Sequence, residues 1–341
     1  MVSFVNDYSA GAHPKIMERL LATNLEKTVG YGEDEYCAEA KDKIRLACEC
    51  PDAQIYFLQG GTQTNQVAID TMLHPTEGVI CAATGHINVH EAGAIEFTGH
   101  KVLALPTDSG ILKASQVRDF CKGFYADESH DHEVFPGLVY ITHATELGGV
   151  YQKKELEELR EVCDEYNMSL YLDGARLAYG LMCGASDVTL PDIARLTDAF
   201  YIGGTKCGTL YGEALVFTKN NMPKRFVTRV KQHGAMSAKG RLLGIQFDTL
   251  FTDGLYFEIG AHAMDMARKV RKLFADRGYE FFIDSPTNQI YIIVDRKKKE
   301  ELSRNVMFSF WENIDDEHTA IRFVTDWATT EKDVEELAKL L

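Results

Sequence analysis

Asp173 and Lys206 are the residues of this 341-residue chain whose setting speaks most directly of chemistry. Asp173 stands in Leu172-Asp173-Gly174-Ala175-Arg176, after the apolar run Ser169–Leu172. Lys206 closes Gly203-Gly204-Thr205-Lys206, after the run Ala199–Ile202. Each side chain is thus delivered to the end of a strand-like segment. One cofactor needs this pair: pyridoxal phosphate is held as a Schiff base by a lysine, and an acid keeps its pyridine nitrogen protonated. Burial lowers a lysine's pKa and favours imine formation. The plainer readings are an internal Asp173–Arg176 ion pair and a solvated lysine. The second fits poorly with a Gly-Gly-Thr lead-in suited to close backbone approach.

Two further clusters follow strand-like runs. Gln59-Gly60-Gly61-Thr62-Gln63-Thr64-Asn65-Gln66 opens a helix, and glycines with unpaired N–H groups at a helix start favour phosphate. Thr62 is expected to cap that helix and offer its hydroxyl to the same phosphate; the alternative is an ordinary strand–turn–helix. Thr84-Gly85-His86, followed by His90-Glu91-Ala92-Gly93, gathers two imidazoles and a carboxylate. His86 is expected to lie on a pyridine ring or to move protons near neutral pH, and His90 to be structural. A metal pair at His86 and His90 is the other reading, but the His-Glu-x-x-His order is absent and no metal is expected. His130 and His132 read as a solvated loop, Met264 and Met266 as helix core, and Trp311 and Trp327 as packing residues.

These residues are positioned by an alternating pattern. Strand-like segments at 54–58, 79–82, 101–105, 138–142, 169–172, 199–202 and 214–218 are separated by helical patterns at 63–73, 115–124, 153–166 and 190–196. Within 153–166, Leu156, Leu159 and Cys163 recur at helical spacing among charged residues. Such alternation predicts an α/β fold with a mostly parallel seven-stranded sheet covered by helices, and ligands outside the C-terminal strand ends. After residue 220 come a basic helical stretch at 224–239, a long apolar-periodic run at 242–274, strands at 289–294 and 320–324, and a helix at 332–341. The expected division is a large domain over 1–245 and a smaller C-terminal α+β domain over 246–341.

Composition narrows the class. Hydrophobic residues make up 45% and charged residues 26%, ordinary for a globular protein with ample core. A net charge of −15, with no basic stripe, argues against a nucleic-acid partner. No apolar stretch is long enough to cross a bilayer, and the N-terminus lacks the pattern of a signal peptide. The eight cysteines are scattered without Cys-x-x-Cys spacing and read as reduced thiols, so the expected location is the cytoplasm.

The order and spacing of these motifs resemble the low-specificity L-threonine aldolases. That group lies within the pyridoxal-phosphate-dependent β-eliminating lyases of the aspartate-aminotransferase fold, fold type I. Asn6-Asp7-Tyr8-Ser9, Tyr31-Gly32-Glu33-Asp34, Gly61-Thr62 with Asn65-Gln66, His86 with Glu91-Ala92-Gly93, Asp173–Arg176, Lys206 and Ile321–Thr325 carry the likeness over nearly the whole chain. The resemblance implies that Lys206 bears the cofactor, Asp173 pairs with the ring nitrogen, His86 stacks on the ring, and the Gly61/Thr62 turn holds the phosphate. Arg322 would bind the substrate α-carboxylate, and Arg176 the phenolic oxygen or that carboxylate. Tyr31, Glu91 and Asn6 would line the substrate end, with His86, Glu91 or a water as base toward a β-hydroxyl.

The implied reaction cleaves the Cα–Cβ bond of L-threonine, L-allo-threonine or a related L-β-hydroxy-α-amino acid to glycine and an aldehyde. The implied assembly is a homodimer or homotetramer with interfacial sites, where Lys231 or Lys239 reaches a neighbour's phosphate. β-Elimination and phenylserine-type cleavage stay open beside this reading, and a non-enzymatic binding protein is disfavoured. The chain departs from the family pattern at Asn6, in place of serine, at Ala144, in place of histidine with His143 beside it, and at Cys207, in place of glycine.

Overall fold

The computed structural model describes all of residues 1–341. After β1 (Val2–Ser3), the large sheet is built from β2 (Gln54–Leu58), β3 (Glu77–Ala82), β4 (Val102–Leu105), β5 (Phe135–Thr142), β6 (Ser169–Asp173), β7 (Ala199–Gly203) and β8 (Glu213–Phe217). Their order is β2-β8-β7-β6-β5-β3-β4. Strands β4, β3, β5, β6 and β7 run parallel, and β8 is antiparallel to both neighbours. The expected sheet is present with that one reversal, because the short loop between β7 and β8 leaves no room for the crossover that parallel pairing needs. Both strands are buried at every position, and apart from Glu213 at the head of β8 they read as continuous apolar runs.

Helices cover both faces. One buried cluster joins Ile80, Val139, Leu172, Phe200 and Val216 to the helices Glu35–Ala47, Lys153–Glu165 and Arg241–Leu250. The other joins Val79, Leu138, Tyr171, Tyr201 and Leu215 to the helix Gly61–Met72. Successive residues of a strand point to opposite faces, which is why neighbours such as Leu172 and Tyr171 fall in different clusters. The helix Lys153–Glu165 buries Leu156, Leu159, Val162 and Cys163 and is closed by a Gln152/Glu155 capping box.

Two expected segments differ. The stretch 224–239 is helical only over Phe226–Gln232, since Gly234 turns the chain with a φ of 67°. The run 242–274 is two helices, Arg241–Leu250 and Leu255–Asp276, broken where Asp253 and Gly254 take φ values of 52° and 74°. Residue 245 lies inside the first of these, which packs on the helix Glu35–Ala47.

The C-terminal part carries β9 (Phe281–Ile283), β10 (Gln289–Asp295), β11 (Val306–Met307), β12 (Ser309–Asn313) and β13 (His318–Val324). An antiparallel sheet runs β12-β13-β10-β9, while β11 pairs in parallel with β1. The first residues of the chain therefore pack with its C-terminal part. The β12–β13 register shifts between Phe310 and Glu312, a bulge at Trp311. No helix is long and apolar enough to cross a membrane.

Candidate active site

The turn after β2 and the C-terminal ends of β5, β6 and β7 open on a cavity of about 270 Å³, which Gly61, Thr62, His86, Asp173 and Lys206 line together. Asp173 ends β6 and is only 2% exposed. One carboxylate oxygen accepts from Asn65 Nδ2 (2.9 Å) and the Tyr140 hydroxyl (2.6 Å), the other from the Ala175 N–H (2.9 Å). These partners are all uncharged.

The alternative reading, an Asp173–Arg176 ion pair, is not what forms. Arg176 donates twice to Asp7, at 2.7 and 3.1 Å, and Asn288 Nδ2 donates to the same carboxylate at 3.0 Å. Burial alone would raise the Asp7 pKa, but the Arg176 charge beside it holds it below the ordinary value. Lys206 has a lowered pKa, through burial first and the Arg176 charge second, against the pull of Asp7, Asp173 and Glu213. The Tyr179 hydroxyl anchors its loop by donating to the Lys206 carbonyl at 2.5 Å.

His86 opens a short helix after Gly85. Its Nδ1 lies 2.7 Å from Glu91 Oε1, which also accepts from Asn65 Nδ2 at 2.8 Å. Asn65, held by the Tyr171 hydroxyl at 3.0 Å, thus links Glu91 to Asp173. Burial opposes protonation of His86, yet the Glu91 hydrogen bond and the Asp173 and Glu91 charges raise its pKa overall. Glu91 was expected at the substrate end; instead its side chain is wholly buried behind His86 and lines neither cavity. It positions the ring. Nor does Thr62 cap its helix: Gly60 is the cap, and no side chain there accepts from the first N–H groups. A Cβ at Gly61 would sit 3.1 Å from the Tyr201 hydroxyl, so glycine lets the turn cross that ring.

Through His86, Arg176 and Lys206 this cavity continues into a chamber of about 930 Å³. Arg322, on β13, faces it, donating to Gln289 Oε1 at 3.1 Å and lying 5.4 Å from the Trp311 ring centre, while its Nε has no partner. Trp311, expected only to pack, walls the chamber from its bulge, edge-on to Tyr291. His90, expected to be structural, lines it as well.

Several expected residues do not join the site. Asn6 Oδ1 accepts from the Tyr8 N–H (3.0 Å) and the Ser9 hydroxyl (2.8 Å), and it is Tyr8 that lines both cavities. Tyr31 stands 49% exposed with the Lys231 ammonium 5.0 Å from its ring centre, beside a separate cleft. Neither Lys231 nor Lys239 lines a cavity of this chain's site. His143 is buried and neutral, its pKa lowered by burial to about 4, with its Nδ1 accepting from the Tyr151 N–H at 3.3 Å.

Sequence reasoning missed Asp7, Tyr140, Tyr171, Glu146 and Glu213. Glu146 lines both cavities and accepts from the His86 N–H (3.0 Å) and Thr142 hydroxyl (3.3 Å). Burial, then the Asp173 charge, raise its pKa. The one local signal was Glu213, a lone acid heading an apolar strand.

The residues present fit pyridoxal phosphate. A buried carboxylate with only neutral partners suits a pyridinium N–H, an amine of lowered pKa stands in the same cavity, and a glycine-led helix start suits phosphate. Residues 4–297 match the beta-eliminating lyase family. The chain belongs to that family. Over 339 residues it is 31% identical to the low specificity L-threonine aldolase of a Pseudomonas species, covering 98% of this chain and 95% of that one. A threonine aldolase structure from Leishmania major is 42% identical with a TM-score of 0.96, covering 100% of this chain and 98% of that chain. An aspartate aminotransferase structure from Thermus thermophilus shares the fold alone, at 14% identity and a TM-score of 0.70 over 100% and 92% of the two chains. This family member has the type I fold and is a pyridoxal-phosphate-dependent carbon–carbon lyase.

Proposed function

We propose that this lyase cleaves the Cα–Cβ bond of L-threonine, L-allo-threonine or a related L-β-hydroxy-α-amino acid to glycine and an aldehyde. The observation that carries the reading is Lys206 sharing one cavity with a buried Asp173 carboxylate whose partners are all neutral. In this reading Lys206 would be the point of covalent attachment, Asp173 would pair with the ring nitrogen, His86 would stack on the ring, and the Gly61 turn with Thr62 would hold the phosphate. The bound cofactor supplies an electron sink. The protein's own share is orientation and proton handling. Arg322 holds the α-carboxylate through charge-assisted hydrogen bonds and so selects which bond at Cα is aligned for cleavage. His86, with Nδ1 engaged by Glu91, is left with Nε2 to take the β-hydroxyl proton.

The names of the relatives favour aldol cleavage over β-elimination. We place the division between the two parts at the 251–254 turn, a few residues beyond 245. The exposed apolar side chains Met17, Leu21, Leu25 and Val29, close together in sequence, support a homodimer or homotetramer, in which Tyr31 and Lys231 would serve a neighbour's site. Eight unpaired cysteines support a reducing, cytoplasmic setting. Incubation of the cofactor-loaded protein with L-threonine and L-allo-threonine should yield glycine and acetaldehyde. Lys206→Ala should lose both products and the visible band of bound cofactor. Keto acid and ammonia without aldehyde would overturn the aldolase reading.

A further inference from the structure

We propose that Glu213 takes up a proton when the cofactor's phosphate enters the cavity, so that cofactor binding is linked to a carboxyl of the fold. Sheet register supplies the placement. Glu213 heads β8 between Leu58, at the end of β2, and Gly203, at the end of β7. Leu58 leads into the Gly61 helix start and Gly203 into the Lys206 loop, so the acid stands between the phosphate turn and the lysine. It is 3% exposed, accepts the Gly204 N–H at 2.9 Å, and lines the same cavity as Gly61 and Thr62. A buried carboxylate and a phosphate dianion in one cavity repel, and protonating the carboxyl removes the conflict.

Within one chain the surrounding groups do not remove it otherwise. Lys206, from the β7–β8 loop, would be joined to the cofactor's aldehyde carbon, and Asp173, from β6, has the same sign as Glu213. Arg176 is tied to Asp7. The end of β2 and the first turns of the helix Gly61–Met72 bring only uncharged side chains. Tyr171, Tyr201, Tyr256 and Cys207 are held neutral by burial. Burial has also raised Glu213 to about 7, so a modest further push completes protonation at neutral pH.

The inference rests on the proposed cofactor site, and the test separates the two. Apo-protein is titrated with pyridoxal phosphate by calorimetry in buffers of different ionisation enthalpy, for wild type and Glu213→Gln. Wild type should take up more protons, by a difference approaching one near about pH 8. Its dissociation constant should rise up to about tenfold per pH unit above 7, leaving Glu213→Gln about tenfold tighter at about pH 8. Pyridoxal, which lacks the phosphate, should show no such difference. Equal proton uptake in wild type and variant overturns the inference while a Lys206-dependent visible band still upholds the cofactor site. No such band overturns both. Should Glu213→Gln fail to fold, Glu213→Ala is read in the same way.

Discussion

Asp7→Asn probes how the site is held from behind. Asp7 is fully buried and Arg176 nearly so, and two hydrogen bonds join them while Asn288 donates a third. Asparagine would keep the shape but remove the charge, and its amide would turn an N–H toward the Arg176 or Asn288 donors. Removing one partner of a buried pair strands the other charge, at a cost of about 3–5 kcal/mol. That is a large share of a typical total of about 5–15 kcal/mol. Denaturant unfolding of the apo-protein measures the loss directly.

The pH dependence follows from the sign of the shift. The folded pKa of Asp7 lies below its ordinary 3.8, so the contribution is fully present above that value and is lost only as pH falls through the lower folded one. The gap between wild type and variant should therefore stay constant from about pH 5 to 8 and close in acid. A variant within about 1 kcal/mol of wild type at neutral pH, well short of the stranded-charge cost, would refute the reasoning. Neutralising both partners, Asp7→Asn with Arg176→Gln, should recover part of the loss, because no buried charge is then left alone.

Other outcomes follow from the same geometry. Arg322→Ala should lower kcat/KM by roughly ten- to a hundredfold, mainly through KM, as a charged hydrogen bond to the substrate carboxylate is lost; an unchanged KM would remove Arg322 from that role. Glu91→Gln should lower the His86 pKa in an NMR titration, since Glu91 helps raise it. The stabilisation from that pairing is present below the ordinary 6.5 and fades as pH rises through the higher folded value, so the two proteins should converge in alkali. Gly244→Ala should cost about 1–3 kcal/mol in thermal unfolding despite alanine's better helix propensity, because its Cβ would lie 2.6 Å from the Cys37 nitrogen.

What could be read in advance divides by the range of the interaction. Gly61, His86, Asp173 and Lys206 each follow an apolar run within a few residues, and an α/β sheet gathers strand ends at one edge, so local pattern alone placed them together. Asp7 bonds a residue 169 positions away and Asn65 one 108 positions away; such pairings leave no periodic trace. Trp311 looked like core because an aromatic in a β-rich run usually is, and only the bulge in β12 turns it toward the chamber. Tyr31 kept its family setting in sequence yet lines neither cavity of its own chain's site, which a linear reading could not show.

Glu213 falls between these cases. An acid directly ahead of Ala214–Phe217 looked like the boundary of an apolar strand, and the structure makes it the strand's first, fully buried residue. A carboxyl placed there must offset its desolvation through a partner, a proton or both. The Thr205 side chain and the Gly204 amide supply partners, yet burial outweighs them, and no free cation of this chain would stand beside it once Lys206 is engaged. The remaining means is the proton. The acid at the head of the strand is therefore as much a part of the cofactor site as the lysine at the end of the strand beside it.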